Sequence, residues 1–263
     1  MCGAEKKYSA GDRDKHSQKA KHEQKSGKST RQGCPKAIAV TKILRENNAP
    51  FFASLAHKSG LSAIMNDTIT IKRFTGKDVE QYISDVARLR IEVFREYPYL
   101  YNGDMAYEAN YLRTYTASPD SVIVIAFDGN TVVGASTAVP LRHEMEEIKR
   151  PFLEMEIDTQ SVFYLGESVL RREYRGRGIG VRFFEEREAH ARQIDDFVWA
   201  AFCAVERPAN HPRRPADYAP LDEFWNHRGY FKRPELRTTL SWRDLDESSS
   251  TPKPMVFWLK RLA

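Results

Sequence analysis

The residues best suited to chemistry form a glycine- and arginine-rich segment in the second half of the chain. It reads Arg175-Gly176-Arg177-Gly178-Ile179-Gly180, between a predicted strand that ends near Leu170 and a predicted helix that begins near Gly178. Glycines let a backbone approach a ligand closely. The first turn of a helix has unpaired amides and a partial positive charge, which together bind phosphate. Because the two arginines add full positive charges, the segment predicts a site for a pyrophosphate group.

Two better-known phosphate-binding patterns do not fit this segment. A dinucleotide-binding Rossmann turn requires Gly-x-Gly-x-x-Gly, and a P-loop ends in Gly-Lys-Ser/Thr. The glycines at 176, 178 and 180 have the wrong spacing for the first pattern, and Val181-Arg182 replaces Lys-Ser of the second. A plain glycine-rich turn with two solvated arginines remains the structural alternative at this point.

Strand and helix patterns alternate from Met65 onward, which is typical of an α/β or α+β domain. Predicted strands cover residues 68–73, 121–127, 131–139, 161–170, 197–205, 236–242 and 254–260. Predicted helices cover residues 78–97, 105–116, 141–156, 178–192 and 221–227. We expect Asp78 to cap the first helix, Pro151 to interrupt the third, and Asp128-Gly129-Asn130 to close a hairpin.

The chain divides into a disordered basic leader (residues 1–36), a poorly ordered or loosely helical linker (37–64) and a functional domain (65–263). The leader has ten Lys or Arg and four Asp or Glu, a net charge of +6, whereas the whole chain has +5. Its few apolar side chains predict disorder. The other residues together carry a charge of −1, which argues against nucleic acid as the partner of the folded part.

The composition predicts a cytoplasmic protein with no membrane partner and no metal. No apolar run approaches the roughly 18 residues needed to cross a membrane, and the first residues lack a signal-peptide core. The cysteines Cys2, Cys34 and Cys203 have neither a disulfide nor a zinc spacing. Cys203 lies in a predicted apolar strand, where a packed thiol is the simple interpretation.

The glycine-rich segment resembles the pyrophosphate motif of the GNAT superfamily of N-acetyltransferases. That motif is Arg/Gln-x-x-Gly-x-Gly/Ala, matched by Arg175, Gly178 and Gly180. A second similarity is the segment Phe224-Trp225-Asn226-His227-Arg228-Gly229-Tyr230, and the order of elements is also similar. The resemblance covers roughly residues 68–262. It implies an α+β fold (an α/β sandwich) with a mixed, mostly antiparallel central sheet, whose central strands splay apart between flanking helices.

The resemblance also implies a function, in which acetyl-CoA is the co-substrate and its acetyl group passes directly to an amine of a small molecule or peptide. Ser168, Val169 and Leu170 would pair with the pantetheine arm, and an amide near Leu170 would polarise the thioester carbonyl. Arg175 and the amides of Gly176, Arg177, Gly178, Ile179 and Gly180 would hold the pyrophosphate. A non-catalytic acyl-CoA sensor of the same fold is the alternative, and a homodimer is an assembly the sequence allows.

An amine acceptor requires a base, and Glu167 is the first candidate, with Glu206 the weaker one. Glu167 could instead cap its strand or pair with an arginine, and Glu206 could be a solvated carboxylate.

Trp225 occupies the place of a tyrosine that protonates the leaving thiolate in many relatives, and an indole cannot do this. Tyr218, Tyr230 or water would substitute. Tyr99, Tyr101 and Asp104 are candidates for an amine pocket, with core and turn roles as the alternative. The basic loop at residues 207–214 is expected to be solvated, with a contact to the CoA 3′-phosphate or to an acidic acceptor as the alternative.

Overall fold

The fold centres on one mixed β-sheet. The computed structural model describes residues 69–262, so the predictions for residues 1–36 and 37–64 lie outside the described residues. Seven strands of this region lie in the order β1-β2-β3-β4-β5-β7-β6, and of their pairings only β4 with β5 is parallel. Their bounds are β1 Ile69–Phe74, β2 Val122–Asp128, β3 Thr131–Pro140, β4 Val162–Leu170, β5 Trp199–Val205, β6 Phe231–Trp242 and β7 Thr251–Arg261. The predicted sheet type is confirmed.

Helices cover both faces of this sheet. They are α1 Ile83–Phe94, α2 Met105–Ala117, α3 Glu146–Glu154, α4 Ile179–Ile194 and α5 Asp222–Asn226. On one face, Leu89 of α1 and Leu112 of α2 pack in a buried cluster with Ile123 of β2. On the other face, Phe183 of α4 packs with Val124 of β2. Successive strand residues point to opposite faces, and β2 is apolar from residue 122 to residue 127 because both of its faces are covered. No helix within residues 69–262 has the length and apolar character needed to cross a membrane.

The first predicted helix is shorter than expected, and its predicted cap is wrong. Residues Gly76–Tyr82 form a 3₁₀ turn, and the α-helix begins only at Ile83, with Tyr82 in the capping position. Asp78 therefore lies inside the 3₁₀ turn, where its amide donates to the carbonyl of Thr75 at 3.3 Å. The helix ends at Phe94, whereas the sequence predicted that it would continue to residue 97, the residue before Pro98, where the helical conformation is disfavoured.

Pro151 does not interrupt α3, contrary to the sequence prediction. It lies inside the helix, where a proline has no amide to give to the carbonyl four residues earlier. That carbonyl belongs to Glu147, and the hydroxyl of Thr238 on β6 donates to it at 2.5 Å. A side chain from the sheet therefore satisfies the group that the proline leaves without its helical donor.

We predict that Thr238→Val destabilises the protein by about 1 kcal/mol, because it removes the hydroxyl that donates to the partly buried carbonyl of Glu147. The loss should be smaller in a Pro151→Ala background, since alanine restores the helical amide. Urea unfolding of the two single variants and the double variant measures the coupling. Thr239→Val on the exposed side of the same strand is the control, and an equal loss there would contradict the assignment.

Candidate functional site

Strands β4 and β5 pair along only part of their length. Their parallel ladder is limited to residues 162–164 with residues 199–201, although β4 continues to Leu170 and β5 to Val205. Next to the ladder, β4 places Gly166 and Glu167 opposite the single residue Thr137 of β3, which is a β-bulge. The second halves of β4 and β5 are thus separated by a gap between their backbones, as the predicted splayed strands require.

The edge of β4 beyond the bulge offers main-chain groups to this gap. The amide of Arg171 donates to the carbonyl of Val133 at 3.0 Å, and hydrogen-bonded pairs alternate along an antiparallel ladder. In the observed register this directs the main-chain groups of Val169 toward β3. Those of Ser168 and Leu170 consequently point toward the gap. Two of the three residues predicted to pair with a pantetheine arm therefore present main-chain groups on the required side.

The glycine-rich segment forms the junction between β4 and α4, where the sequence predicted it. Gly176 and Gly178 have φ angles of 79° and 77°, which strain any residue with a side chain. A Cβ on either glycine would meet no atom within 4 Å, so open space lies in front of the turn. The amides of Ile179 and Gly180 belong to the first turn of α4, where amides have no intrahelical acceptor. Gly180 lies next to the ring of Phe224, which a Cβ at that position would touch at 3.4 Å.

Both arginines of the segment lie beside this turn. Arg175 donates from Nε to the carbonyl of Leu170 at 3.1 Å and pairs through Nη1 with Glu96 at 2.9 Å. It therefore ties the turn to the end of β4. The guanidinium of Arg177 lies over the ring of Tyr174 at 5.1 Å.

Glu167, the first candidate base, is a buried carboxylate that forms an ion pair with Arg90 of α1. Arg90 also pairs with the buried Glu108 of α2. Its guanidinium lies 5.1 Å from the ring centroid of Phe94 and 4.4 Å from that of Tyr111. The alternative left open by the sequence, that Glu167 pairs with an arginine, is what the structure contains. The pair keeps a carboxylate in place beside the gap.

Two tyrosines connect Glu167 to a second buried carboxyl group, that of Glu144. The Tyr111 hydroxyl donates to Glu167 Oε2 at 3.3 Å and lies 3.0 Å from the Tyr115 hydroxyl. The Tyr115 hydroxyl donates to Glu144 Oε1 at 3.4 Å. Burial, assisted by the charge of Glu167, raises the pKa of Glu144 to about 7, against the opposing effects of the Met145 amide, Tyr115 and Lys149.

Sequence reasoning missed most of this cluster. Arg90 lies four residues after Val86, on the apolar face of α1, and a charged residue on such a face indicates a buried partner. Glu108, Tyr111 and Tyr115 recur at helical spacing on one side of α2, which is a second usable signal. Glu144 lies in the connection between β3 and α3, and no local pattern indicates its role.

Glu206, the weaker candidate base, lies at the end of β5 between two cations. It pairs with Lys232 at 3.1 Å and with Arg237. Burial alone would raise the pKa of Glu206, but hydrogen bonds from Lys232 and Arg237 outweigh it and lower that pKa. A carboxylate with a lowered pKa is a weaker proton acceptor.

The aromatic residues considered as proton donors have other contacts. Trp225 packs edge-on against Phe202 and Trp258, with centroid distances of 5.1 and 5.0 Å. The hydroxyl of the fully buried Tyr230 donates to Glu188 at 3.0 Å. Tyr218 packs edge-on against Tyr97 at 4.7 Å. Of the two tyrosines, Tyr218 is the partly exposed one, and its hydroxyl forms no hydrogen bond with any residue between 69 and 262.

The predicted amine-pocket residues divide between structural and surface roles. Tyr99 packs against Phe94 and Trp242. Asp104 caps α2 by accepting the amide of Tyr107 at 2.9 Å. Tyr101 and Asp104 nevertheless line one side of a cavity of ≈ 360 Å³, whose other side is formed by residues 241–243 and 248–250.

Arg207 corrects the expectation of a solvated basic loop. It is largely buried and donates to the carbonyls of Pro98 and Tyr99, both at 2.8 Å. It also pairs with Asp244 at 2.8 Å. Arg207 therefore fixes the connection between α1 and α2 against the connection between β6 and β7.

Comparisons with known proteins identify the family to which this domain belongs. Residues 86–216 match the family model described as the acetyltransferase (GNAT) family, so the chain contains a GNAT acetyltransferase domain. No curated protein matches the chain. A solved acetyltransferase candidate from Acinetobacter baylyi has a TM-score of 0.50 at 11% identity, and the match covers 75% of this chain and 95% of that one. That similarity shows the shared fold.

Two further solved structures are similar at slightly lower scores. A ribosomal-protein-alanine N-acetyltransferase from Brucella melitensis has 15% identity and a TM-score of 0.48, with 73% of this chain and 99% of that chain covered. An acetyltransferase candidate from Salmonella typhimurium, solved with its cofactor acetyl-CoA, has 8% identity and a TM-score of 0.47 over 74% and 94% of the two chains.

We predict that Arg90→Met destabilises the protein by about 3–5 kcal/mol, because it leaves two buried carboxylates without their cation. Adding Glu108→Gln should recover part of this loss, since it removes one of those charges. Denaturant titration measures both. Arg88→Met on the same helix, where the arginine is exposed and paired with Asp85, should cost little; equal losses at 88 and 90 would refute the role given to the buried pair.

Proposed function

We propose that this protein transfers an acetyl group from acetyl-CoA to an amine of a small molecule or peptide. The observation that carries the proposal is the order of features along β4 and the turn after it. The buried carboxylate of Glu167, the edge at Ser168 and Leu170, and the open turn at residues 176–180 follow one another along a single run of chain. Acetyl-CoA supplies a thioester, a peptide-like arm and a pyrophosphate, which correspond to these features in that order.

The residues present fit this co-substrate. The turn has two glycines with open space in front of them and the amides of a helix N-terminus, a combination suited to a pyrophosphate. Ser168 and Leu170 would pair with the amide groups of the arm as a further strand would. Arg175 and Arg177 would add positive charge beside the phosphates.

Glu167 is the proposed base. A primary amine is protonated near neutral pH, since its pKa resembles that of lysine at about 10.4. The ammonium must therefore lose one proton before its nitrogen can attack, and Glu167 would accept that proton. The nitrogen then bonds to the acetyl carbon as the carbon–sulfur bond breaks, and its second proton leaves through solvent and ends on the CoA thiol. A thiol has a pKa of about 8.5, so the thiolate leaves without a dedicated proton donor. This agrees with a site in which Trp225 packs against other aromatic rings and Tyr230 is buried.

A non-catalytic acyl-CoA-binding module is the second candidate, because Trp225 replaces the usual tyrosine. Thiol release distinguishes the two, with acetyl-CoA and a panel of spermidine, tyramine, glucosamine, L-lysine and an alanine-initiated peptide. Release that depends on an amine supports the enzyme. Tight CoA binding with no release on any amine supports the module.

We predict that Gly178→Asp weakens CoA binding at least about tenfold relative to Gly178→Asn, because it adds a negative charge next to the pyrophosphate. Asn and Asp have nearly the same size, and both tolerate a positive φ better than other side chains do. Calorimetry of CoA binding compares the two variants. Gly129→Asp is the control. It places the same side chain at another positive φ, 57° in the β2–β3 hairpin, and should leave CoA affinity unchanged. Equal affinities for the two variants at position 178 would contradict the site.

We predict that Glu167→Gln lowers turnover about 100-fold or more, which is the usual contribution of a general base, while CoA affinity stays near that of the wild type. Initial rates of thiol release and calorimetry give the two quantities. Glu206→Gln is the comparison and should change turnover little. If Glu206→Gln loses turnover while Glu167→Gln retains it, Glu206 and not Glu167 is the base.

A further inference from the structure

A chain of three oxygen–oxygen contacts joins Glu144 to Glu167 through Tyr115 and Tyr111. The contacts measure 3.4 Å between Glu144 and Tyr115, 3.0 Å between the two phenols, and 3.3 Å between Tyr111 and Glu167. We call these four residues the Glu144–Glu167 chain. It runs from the connection before α3, across one face of α2, to the bulge of β4.

The number of protons in this chain determines how it can work. Each phenol has one hydroxyl hydrogen, and an ionised carboxylate has none. Three contacts require three hydrogens, so two ionised carboxylates leave one contact without a hydrogen. One added proton completes all three contacts. The geometry is therefore that of a chain with a place for one exchangeable proton.

The charges around the Glu144–Glu167 chain also favour one bound proton. Two buried guanidinium groups lie at the cluster: Arg90 pairs with Glu108 and Glu167, and Arg187 donates to the carbonyl of Glu167 at 3.1 Å. With Glu144 the cluster contains three carboxyl groups. It is electrically neutral when it holds one proton and has one net negative charge when it holds none.

The proton resides on Glu144 rather than on Glu167, because the two carboxyl groups have different charged neighbours. Glu167 has Arg90 as a direct cationic partner, whereas Glu144 forms no ion pair with any residue between 69 and 262. Burial raises the pKa of Glu144 to about 7, so this group holds the proton below neutral pH. The ionisable groups that face Glu144 are Tyr111 and Tyr115 of α2, Tyr164 and Glu167 of β4, Cys203 of β5 and Lys149 of α3.

We propose that Glu144 is the second proton acceptor of the site and acts through Glu167. The inference rests on the proposed function. The amine loses its proton to Glu167, whose new O–H bond breaks as its proton passes to the Tyr111 oxygen. Tyr111 gives its own hydrogen to Tyr115, and Tyr115 gives its hydrogen to Glu144. One O–H bond is thereby gained at Glu144, both phenols are restored, and Glu167 is ionised again.

A pH dependence with a definite sign follows. The chain accepts the amine proton only when Glu144 is ionised, because a protonated Glu144 leaves no vacant position. Turnover should therefore rise with pH through the pKa of Glu144, about 7, and fall as pH decreases through the same value.

Three variants test the relay, each compared with wild type by the pH profile of kcat in thiol release, using the amine that gives the highest rate. Glu144→Gln should lower kcat about ten- to hundredfold, less than Glu167→Gln does, and should remove the acidic limb near pH 7. Tyr111→Phe and Tyr115→Phe should remove that limb too, since they break the chain and keep both carboxyl groups. Glu147→Gln, on the exposed surface nearby, should keep both the rate and the limb.

The phenylalanine variants separate a relay from a through-space charge effect. An infrared titration of protonated carboxyl groups should still detect Glu144 in Tyr111→Phe, although the rate no longer follows it. A limb that persists in Tyr111→Phe but disappears in Glu144→Gln would overturn the relay, as would a limb unchanged in Glu144→Gln. Absence of turnover in the wild type on every amine of the panel would overturn the proposed function, and the relay with it. CoA affinity and thermal melting confirm that each variant is folded.

Discussion

The separation of β4 from β5 is the constraint on which the rest of the site depends. After three paired residues the strands lose contact, and the bulge at Gly166 and Glu167 marks where this happens. Gly166 is required there, because a Cβ would lie 2.3 Å from the hydroxyl of Tyr115. Because Gly166 has no side chain, the Tyr115 hydroxyl can lie directly against the backbone of β4. Beyond the ladder the edge of β4 remains unpaired on the side of β5, and Tyr111, which contacts Tyr115, donates to the carboxylate of Glu167.

Two buried arginines hold this departure from regular sheet geometry in place. From α4, Arg187 donates to the carbonyls of Thr137 and Glu167 on both sides of the bulge, at 3.2 and 3.1 Å. From α1, Arg90 holds the carboxylate of Glu167. Burial lowers the pKa of Arg187 to about 10, which still leaves it charged near neutral pH. Because α4 begins at the glycine turn, one helix connects the proposed phosphate site to the main chain of the proposed base.

The sequence predicted those features that local chemistry determines. The turn at residues 175–180 and the β2–β3 hairpin depend on glycines whose positive φ angles are local requirements. The prediction for Pro151 was wrong because a tertiary contact with Thr238 satisfies the carbonyl that the proline leaves without a donor. The prediction for Asp78 was wrong because a 3₁₀ turn precedes the α-helix and contains that residue. Glu144 could not be predicted, since its importance comes from Tyr115 on a different element. Ionisable groups that meet only in the folded chain have no sequence spacing to indicate them.

Two other carboxyl groups of the domain, one buried and one partly exposed, show why Glu144 stands out. Glu188 is buried and pairs with Lys260 at 2.7 Å. Hydrogen bonds from Lys253, and then from Thr251 and the Asp244 amide, lower the pKa of Glu247 to about 2. Glu144 has no cation in direct contact with it among residues 69–262. Burial therefore raises its pKa, whereas the pKa of Glu247 is lowered. Purely structural pairing predicts a cation beside each buried carboxylate, because an uncompensated charge is costly to bury. A carboxyl group that titrates near neutral pH, joined by phenols to a paired carboxylate, is better explained by proton transfer than by packing.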